Sequence, residues 1–267
     1  MARTETPRRG YRNYVPHGMV IGAGCCWGVS GLFNRSLAAL GFPSQTVSVF
    51  RTIGAGLCMA LLMLILDRKA FRIRLRHLPY FLCTGLISEL IFTLCYFESQ
   101  QVNSLAVAGI LLYTAPAFVM LFSALIFKDK ITKKHILAML IAFAGCVLAS
   151  GVLGGTVQLS GRGLLLGLAS GLLYASYTIF SRLAMRHYTP QTVTLYSFMI
   201  SGAGGLVMAA LGMPELGGVT WGGAAAGHIL ATVLIATIIP YLLYTGGLRG
   251  LGDGGLACIL VSVFILR

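Results

Sequence analysis

The stretch Trp27-Gly28-Val29-Ser30-Gly31-Leu32-Phe33-Asn34-Arg35 returns 147 residues later as Tyr174-Ala175-Ser176-Tyr177-Thr178-Ile179-Phe180-Ser181-Arg182. In the same ungapped register Gly24 falls on Gly171, Arg35 on Arg182 and Pro43 on Pro190. One further residue of offset sets Tyr96 on Tyr244 and Leu111-Leu112 on Ile259-Leu260. Helical periodicity can align an aromatic by chance, but not an Arg, a Pro and a Gly together. The pattern predicts a chain duplicated from a unit of about 150 residues, and duplicated units in a membrane are the architecture of transporters.

The membrane setting follows from composition. Hydrophobic residues make up 57% and charged residues 10%, against about 25% charged in a soluble domain. Apolar runs of about 20 residues, enough to cross a bilayer, recur near 18–40, 45–66, 78–98, 104–127, 135–155, 163–184, 192–211 and 222–245. The predicted fold class is an all-α polytopic membrane protein with two inverted five-helix repeats. It has eight full spans, and the second repeat is left incomplete by a short ninth run from Gly254. The expected layout is a tail over 1–16, a first repeat over 17–155 and a second over 156–267.

A net charge of +13 in a soluble protein would suggest nucleic acid. Its distribution excludes that partner here. Sixteen of the twenty Lys and Arg precede the first span or follow the second, fourth, sixth and eighth, whereas the opposite loops hold only Arg162. The positive-inside rule then predicts a cytoplasmic N-terminus in a multi-pass protein of the inner (cell) membrane. Residues 1–16 are basic and polar, and the apolar run after them is too long for the h-region of a cleaved signal. The seven cysteines all lie in apolar runs without metal spacing and read as small buried hydrophobes.

Five crossings leave the chain on the far side of the membrane, so a second five-helix unit must insert upside down. The loop charges agree. Glu98-Ser99-Gln100-Gln101-Val102-Asn103 carries no Lys or Arg, whereas its repeat partner Gly246-Gly247-Leu248-Arg249 carries one. Inverted copies that exchange conformations open a central site first to one side and then to the other.

These residues resemble the EamA-type branch of the drug/metabolite transporter superfamily. The resemblance rests on Trp27-Gly28, Arg51, the run Ser104 to Pro116, the basic turn Lys128-Asp129-Lys130-Ile131-Thr132, and Gly254 to Val263. It covers essentially the whole chain. It implies ten spans in two repeats and efflux of metabolites, amino acids or drug-like compounds, with protons as a coupling ion. An uptake carrier of the same fold and an inactive truncated membrane fragment stay open beside it. The family usually has Gly-Glu where this chain has Lys128-Asp129. It also usually continues with Glu-Pro and a tenth span where this chain reads Phe264-Ile265-Leu266-Arg267. The 13 apolar residues 254–266 rise about 20 Å as a helix, short of the roughly 30 Å hydrocarbon core. The expectation is therefore a truncated copy.

Glu89 is the sharpest candidate for chemistry, because an ionised carboxylate at mid-membrane is costly and is usually functional or paired. Gly85, Glu89, Thr93 and Tyr96 fall at i, i+4, i+8 and i+11, one face of a regular helix. Arg51 sits at a depth from which it could reach Glu89. The alternative is an inert buried pair that fixes packing. Glu89 aligns with Thr237 and Arg51 with Phe198, so one half holds the charges. Trp27, Ser30, Gly31 and Asn34 share a face of span one, and Tyr174, Tyr177, Thr178 and Ser181 the matching face of span six. Such faces suit either a cavity for a partly apolar organic solute or simple helix packing.

Pro116 and Pro240 interrupt spans four and eight and release the carbonyls of Leu112 and Ala236. Such carbonyls must face protein or a wet cavity, which makes Pro116, beside Tyr113, a lining candidate. Gly163, Gly167 and Gly171 at four-residue spacing read as packing contacts, and Arg35, near a helix end, as a snorkelling side chain. Gly28-Val29-Ser30-Gly31 has the form of an intramembrane hydrolase motif with His228 as base, but no oxyanion donors accompany it. The chain is not expected to be an enzyme. It shows no phosphate-binding loop, no cofactor motif and nothing that sets an oligomeric state. The substrate-binding set read from sequence is Trp27, Asn34, Arg51, Glu89, Thr93, Tyr96, Tyr113, Pro116, Tyr174 and Tyr177, and the expected partners are a small organic solute, protons and the lipid bilayer.

Overall fold

Residues 15–149, 160–212 and 219–251 of a computed structural model are described. The apolar run 254–266, with the repeat partners Ile259-Leu260, and most of the 1–16 tail lie outside these residues. The described residues form helices and no strand. The protein is an all-α polytopic membrane protein.

The first apolar run forms two helices. α1 (Val15–Gly28) and α2 (Ser30–Ala39) meet at Val29, where the flanking Gly28 and Gly31 weaken the helix locally. α3 (Ser44–Leu66) starts behind Pro43, which holds the extended conformation of a helix entrance. Next come α4 (Leu78–Leu82, Cys83–Ile91 and Phe92–Val102) and α5 (Leu105–Leu112 and Ala115–Phe127), then α6 (Lys133–Ala149) and α7 (Gly161–Ala184). α8 (Pro190–Ala210) begins with Pro190 in its first turn and with the Thr189 hydroxyl accepting from the Thr192 amide. The repeat mates Pro43 and Pro190 thus do one job, pre-setting φ where a helix starts. α9 comprises Gly223–Val233, Leu234–Ile238 and Ile239–Leu251. Six of these helices are long and apolar enough to cross a membrane. The α1–α2 pair and the shorter α6 are not among the six.

Two segments depart from α geometry. Cys83–Ile91 in α4 and Leu234–Ile238 in α9 are π-helical, with the i→i+5 spacing that tends to mark functional sites. Shifted by 148 residues, the first overlies the second. α5 ends with Lys128 in the left-handed region (φ 59), a position that favours glycine.

Helices α3 and α8, mates in the repeat register, are in extensive contact, second to α4 with α7 and ahead of α1 with α9. Small residues let them approach. A Cβ on Gly56 of α3 would stand 2.7 Å from the Phe198 carbonyl oxygen of α8, and one on Gly202 of α8 would stand 3.0 Å from the Thr52 carbonyl oxygen of α3. Cβ atoms on Gly163, Gly167 and Gly171 would fall on Asn103, Leu111 and Thr114. The outer faces carry exposed Leu57, Leu61, Ile65, Leu125, Leu140, Ile141 and Leu206. In water such a surface would aggregate, whereas in a bilayer it is the solvated face.

The orientation read from the loop charges can be tested by labelling at exposed positions. Single cysteines at exposed Thr220 and Gly161 should react with an impermeant maleimide in intact cells. Cysteines at Lys69 and Lys133 should react only after permeabilisation. Labelling of the second pair from outside would overturn the orientation read from the loop charges.

Candidate functional site

Arg51 enters the interior from the second turn of α3 and is 6% exposed. A guanidinium has five donors, and three are engaged. Nε donates to the Thr237 hydroxyl at 2.8 Å, Nη1 to the Thr93 hydroxyl at 2.6 Å and Nη2 to Glu89 Oε1 at 2.7 Å. Glu89 is fully buried, and its other oxygen accepts from the Tyr241 hydroxyl. Thr237 in turn donates to the Thr232 carbonyl at 2.8 Å, five residues back. A buried charge is tolerated only when paired and hydrogen-bonded, and this network does both.

Its two anchors on Arg51, Glu89 and Thr237, are repeat mates, and each lies in a π-helical segment. One cation therefore bonds two π-helical segments that lie 148 residues apart in the repeat register. The π geometry also corrects the polar stripe expected on α4. With an extra residue per turn, Gly85 points to Ile200 and Ser197 of α8, whereas Glu89 and Thr93 turn to Arg51.

Beside the network lies an open-mouthed cavity. Trp27, Ser30, Arg51, Phe92, Tyr96, Phe97, Leu112, Tyr174, Thr232, Ala236 and Tyr241 line it. The Trp27 ring meets Tyr174 edge-on at 6.0 Å and Tyr241 at 5.2 Å, while Phe92 stacks on Tyr96 at 5.7 Å. The site is an aromatic chamber with one cation in its wall.

Of the residues selected from sequence, Trp27, Arg51, Tyr96 and Tyr174 line the cavity. Glu89 and Thr93 stand behind Arg51 and do not line it. Tyr177 is buried with its ring edge-on to Tyr241 at 5.2 Å, one layer out. Asn34 donates to Gln100 at 2.6 Å, away from the chamber. Tyr113 and Pro116 are buried in α5 but do not line it. The helix breaks at Tyr113 and Thr114, with the Thr114 hydroxyl donating to the Leu111 carbonyl, and the lining residue is Leu112 instead. Leu112 and Ala236, each four residues before a proline, both line the cavity. Arg35 is exposed.

Sequence reasoning missed Tyr241, which touches both network and cavity, and also Phe92, Phe97 and Thr232. The signal for Tyr241 was its register: shifted by 148 residues, it overlies Thr93, and both residues bond the Arg51–Glu89 pair.

The EamA-like transporter family matches the chain over residues 16–151 and again over 161–266. The uncharacterized transporter YxxF of Bacillus subtilis strain 168 is 26% identical over 183 residues, 63% of this chain and 56% of that protein. The uncharacterized transporter YyaM of the same organism is 23% identical over 230 residues, 82% of this chain and 73% of its own length. The chain thus spans little more than half of the first relative. A solved crystal structure superposes with a TM-score of 0.74 at 20% identity, covering 94% of this chain and 84% of that one. At that identity the likeness is one of fold.

Proposed function

The chain belongs to the EamA-like transporter family, and from that premise we propose that it exports small organic solutes across the cytoplasmic membrane by alternating access. The observation that carries this reading is the aromatic cavity with Arg51 in its wall, held by Glu89 from one half and Thr237 from the other. A site bonded to both halves feels their relative movement, which is what alternating access requires. The two matches to the family and the π segments at equivalent positions support two inverted repeats, 17–155 and 156–267. The basic loops support a cytoplasmic N-terminus. Solute enters the chamber, aromatic walls take its apolar part, and the Arg51–Glu89 pair couples occupancy to helix position. Protons are the proposed coupling ion, because Glu89 is the one carboxylate within the described spans that meets the chamber's cation.

The test is export from cells loaded with a panel of aromatic metabolites. Trp27→Ala and Glu89→Gln should each abolish accumulation-driven export while membrane abundance stays near that of the parent. Normal export by both variants would place the transport site elsewhere.

A further inference from the structure

The chamber's chemistry narrows the solute, on the premise that this chamber is the transport site. Among the described residues, three of the five Arg51 donors are engaged. The remaining two sit on a cavity-lining guanidinium, one on each terminal nitrogen. Glu89, in contrast, does not line the cavity, and both its oxygens are taken, by Arg51 and Tyr241. Among the described residues no other acidic side chain lines the chamber. An ammonium group would find aromatic faces there but no carboxylate. An anionic oxygen would find two open, charge-assisted donors in a low-dielectric site. The remaining walls are rings and apolar side chains.

We infer that the cavity takes an organic anion with a planar apolar body, its acidic group on the open donors of Arg51, and that Glu89 gains one proton for each anion bound. The charge count requires the second half. Arg51 and Glu89 sum to zero in the empty site. A bound anion would leave one uncompensated negative charge beside a carboxylate with no exposure. One proton on Glu89 restores neutrality.

Tyr241 completes the exchange because it touches Glu89 and also lines the cavity. Its oxygen accepts the new carboxylic acid proton, and its own hydroxyl turns from Glu89 to the bound anion. The groups around Glu89 are few. Arg51 faces it from α3 and Tyr241 from α9, with Tyr177 of α7 behind Tyr241. The adjoining α8 residues Ser197 and Phe198 do not titrate. Among the described residues no other group there can take the proton.

The chain reconstituted in lipid nanodiscs with Trp221→Phe keeps Trp27 as its sole tryptophan and gives a fluorescence reporter in the cavity wall. Trp221 packs on Phe42 and Phe50, away from the chamber. The probes are 3-phenylpropanoate, 3-phenylpropanamide and 3-phenylpropylammonium, which share one body. The anion should bind at least tenfold tighter than the other two and shift Trp27 emission. Calorimetry in buffers of different ionisation enthalpy should show close to one proton taken up per anion. Its Kd should rise about tenfold per pH unit while Glu89 is ionised in the empty site. Glu89→Gln should bind the anion with no proton uptake and a flat pH profile. Equal affinity for all three probes, no binding of any, or anion binding without proton uptake would each overturn the inference. None of these outcomes touches the export assay, which tests the transport reading separately.

Discussion

Arg51→Leu is expected to be the most damaging single substitution in the site, lowering stability by about 3–5 kcal/mol, the usual cost of stranding one member of a buried ion pair. It leaves Glu89 with Tyr241 as its only hydrogen-bond partner among the described residues and no exposure through which water could help. Glu89→Gln should be far milder despite removing the same pair. Arg51 lines an open-mouthed cavity where water can reach it, and it keeps Thr93 and Thr237 as acceptors. The double variant Arg51→Leu/Glu89→Leu should recover most of the loss, because well-packed apolar residues often replace a buried pair at little cost. Equilibrium unfolding in mixed micelles, monitored by helicity, measures all three. A double variant no more stable than Arg51→Leu would show that the penalty lies in the lost threonine bonds and the Phe97 contact of Arg51, not in a stranded carboxylate.

The residues legible in sequence were those whose chemistry is out of place in lipid. Arg51 and Glu89 stand out because charge inside a membrane is expensive, and the structure brings them to 2.7 Å. Trp27 and Tyr174 were marked by the repeat. The span-forming helices were legible because lipid imposes one length and one polarity on every crossing. The π segments were not. A single inserted residue leaves no mark in an apolar run, yet it rotates the rest of the helix, so Gly85 and Glu89 part company. The same blindness hid Phe92, Phe97 and Tyr241, since an aromatic in an apolar span reads alike whether it packs a neighbour or walls a cavity. Asn34 shows the converse. A polar residue on the correct helix face proved to be a link to Gln100, because a regular-helix wheel ignores the break at Val29.

Gly56→Leu should separate α3 from α8 and remove most of the protein from the membrane. At Gly56 even a Cβ would stand 2.7 Å from the Phe198 carbonyl oxygen and 3.4 Å from Gly202 Cα. Backbone cannot step aside as a side chain can, so relief requires the helices to move apart along their whole crossing. In membranes, where packing and hydrogen bonds rather than the hydrophobic effect hold helices together, that contact is not replaced. Gly56→Ala should cost about 1–3 kcal/mol, the range of ordinary overpacking, and the leucine variant more. The crossing also sets the site. Arg51 lies five residues before Gly56, and Phe198, touched by the new side chain, packs edge-on against Tyr241 at 4.8 Å. Surviving Gly56→Ala protein should therefore lose export more than it loses abundance. Gly227→Ala in α9 is the control, since nothing among the described residues lies within 4 Å of its added carbon and alanine favours the helix by up to about 1 kcal/mol. Fluorescence-detected size exclusion of the two alanine variants gives the comparison. Equal stability for Gly56→Ala and Gly227→Ala would mean that the α3–α8 crossing tolerates an added carbon and is not the tight contact that the Gly56 geometry describes.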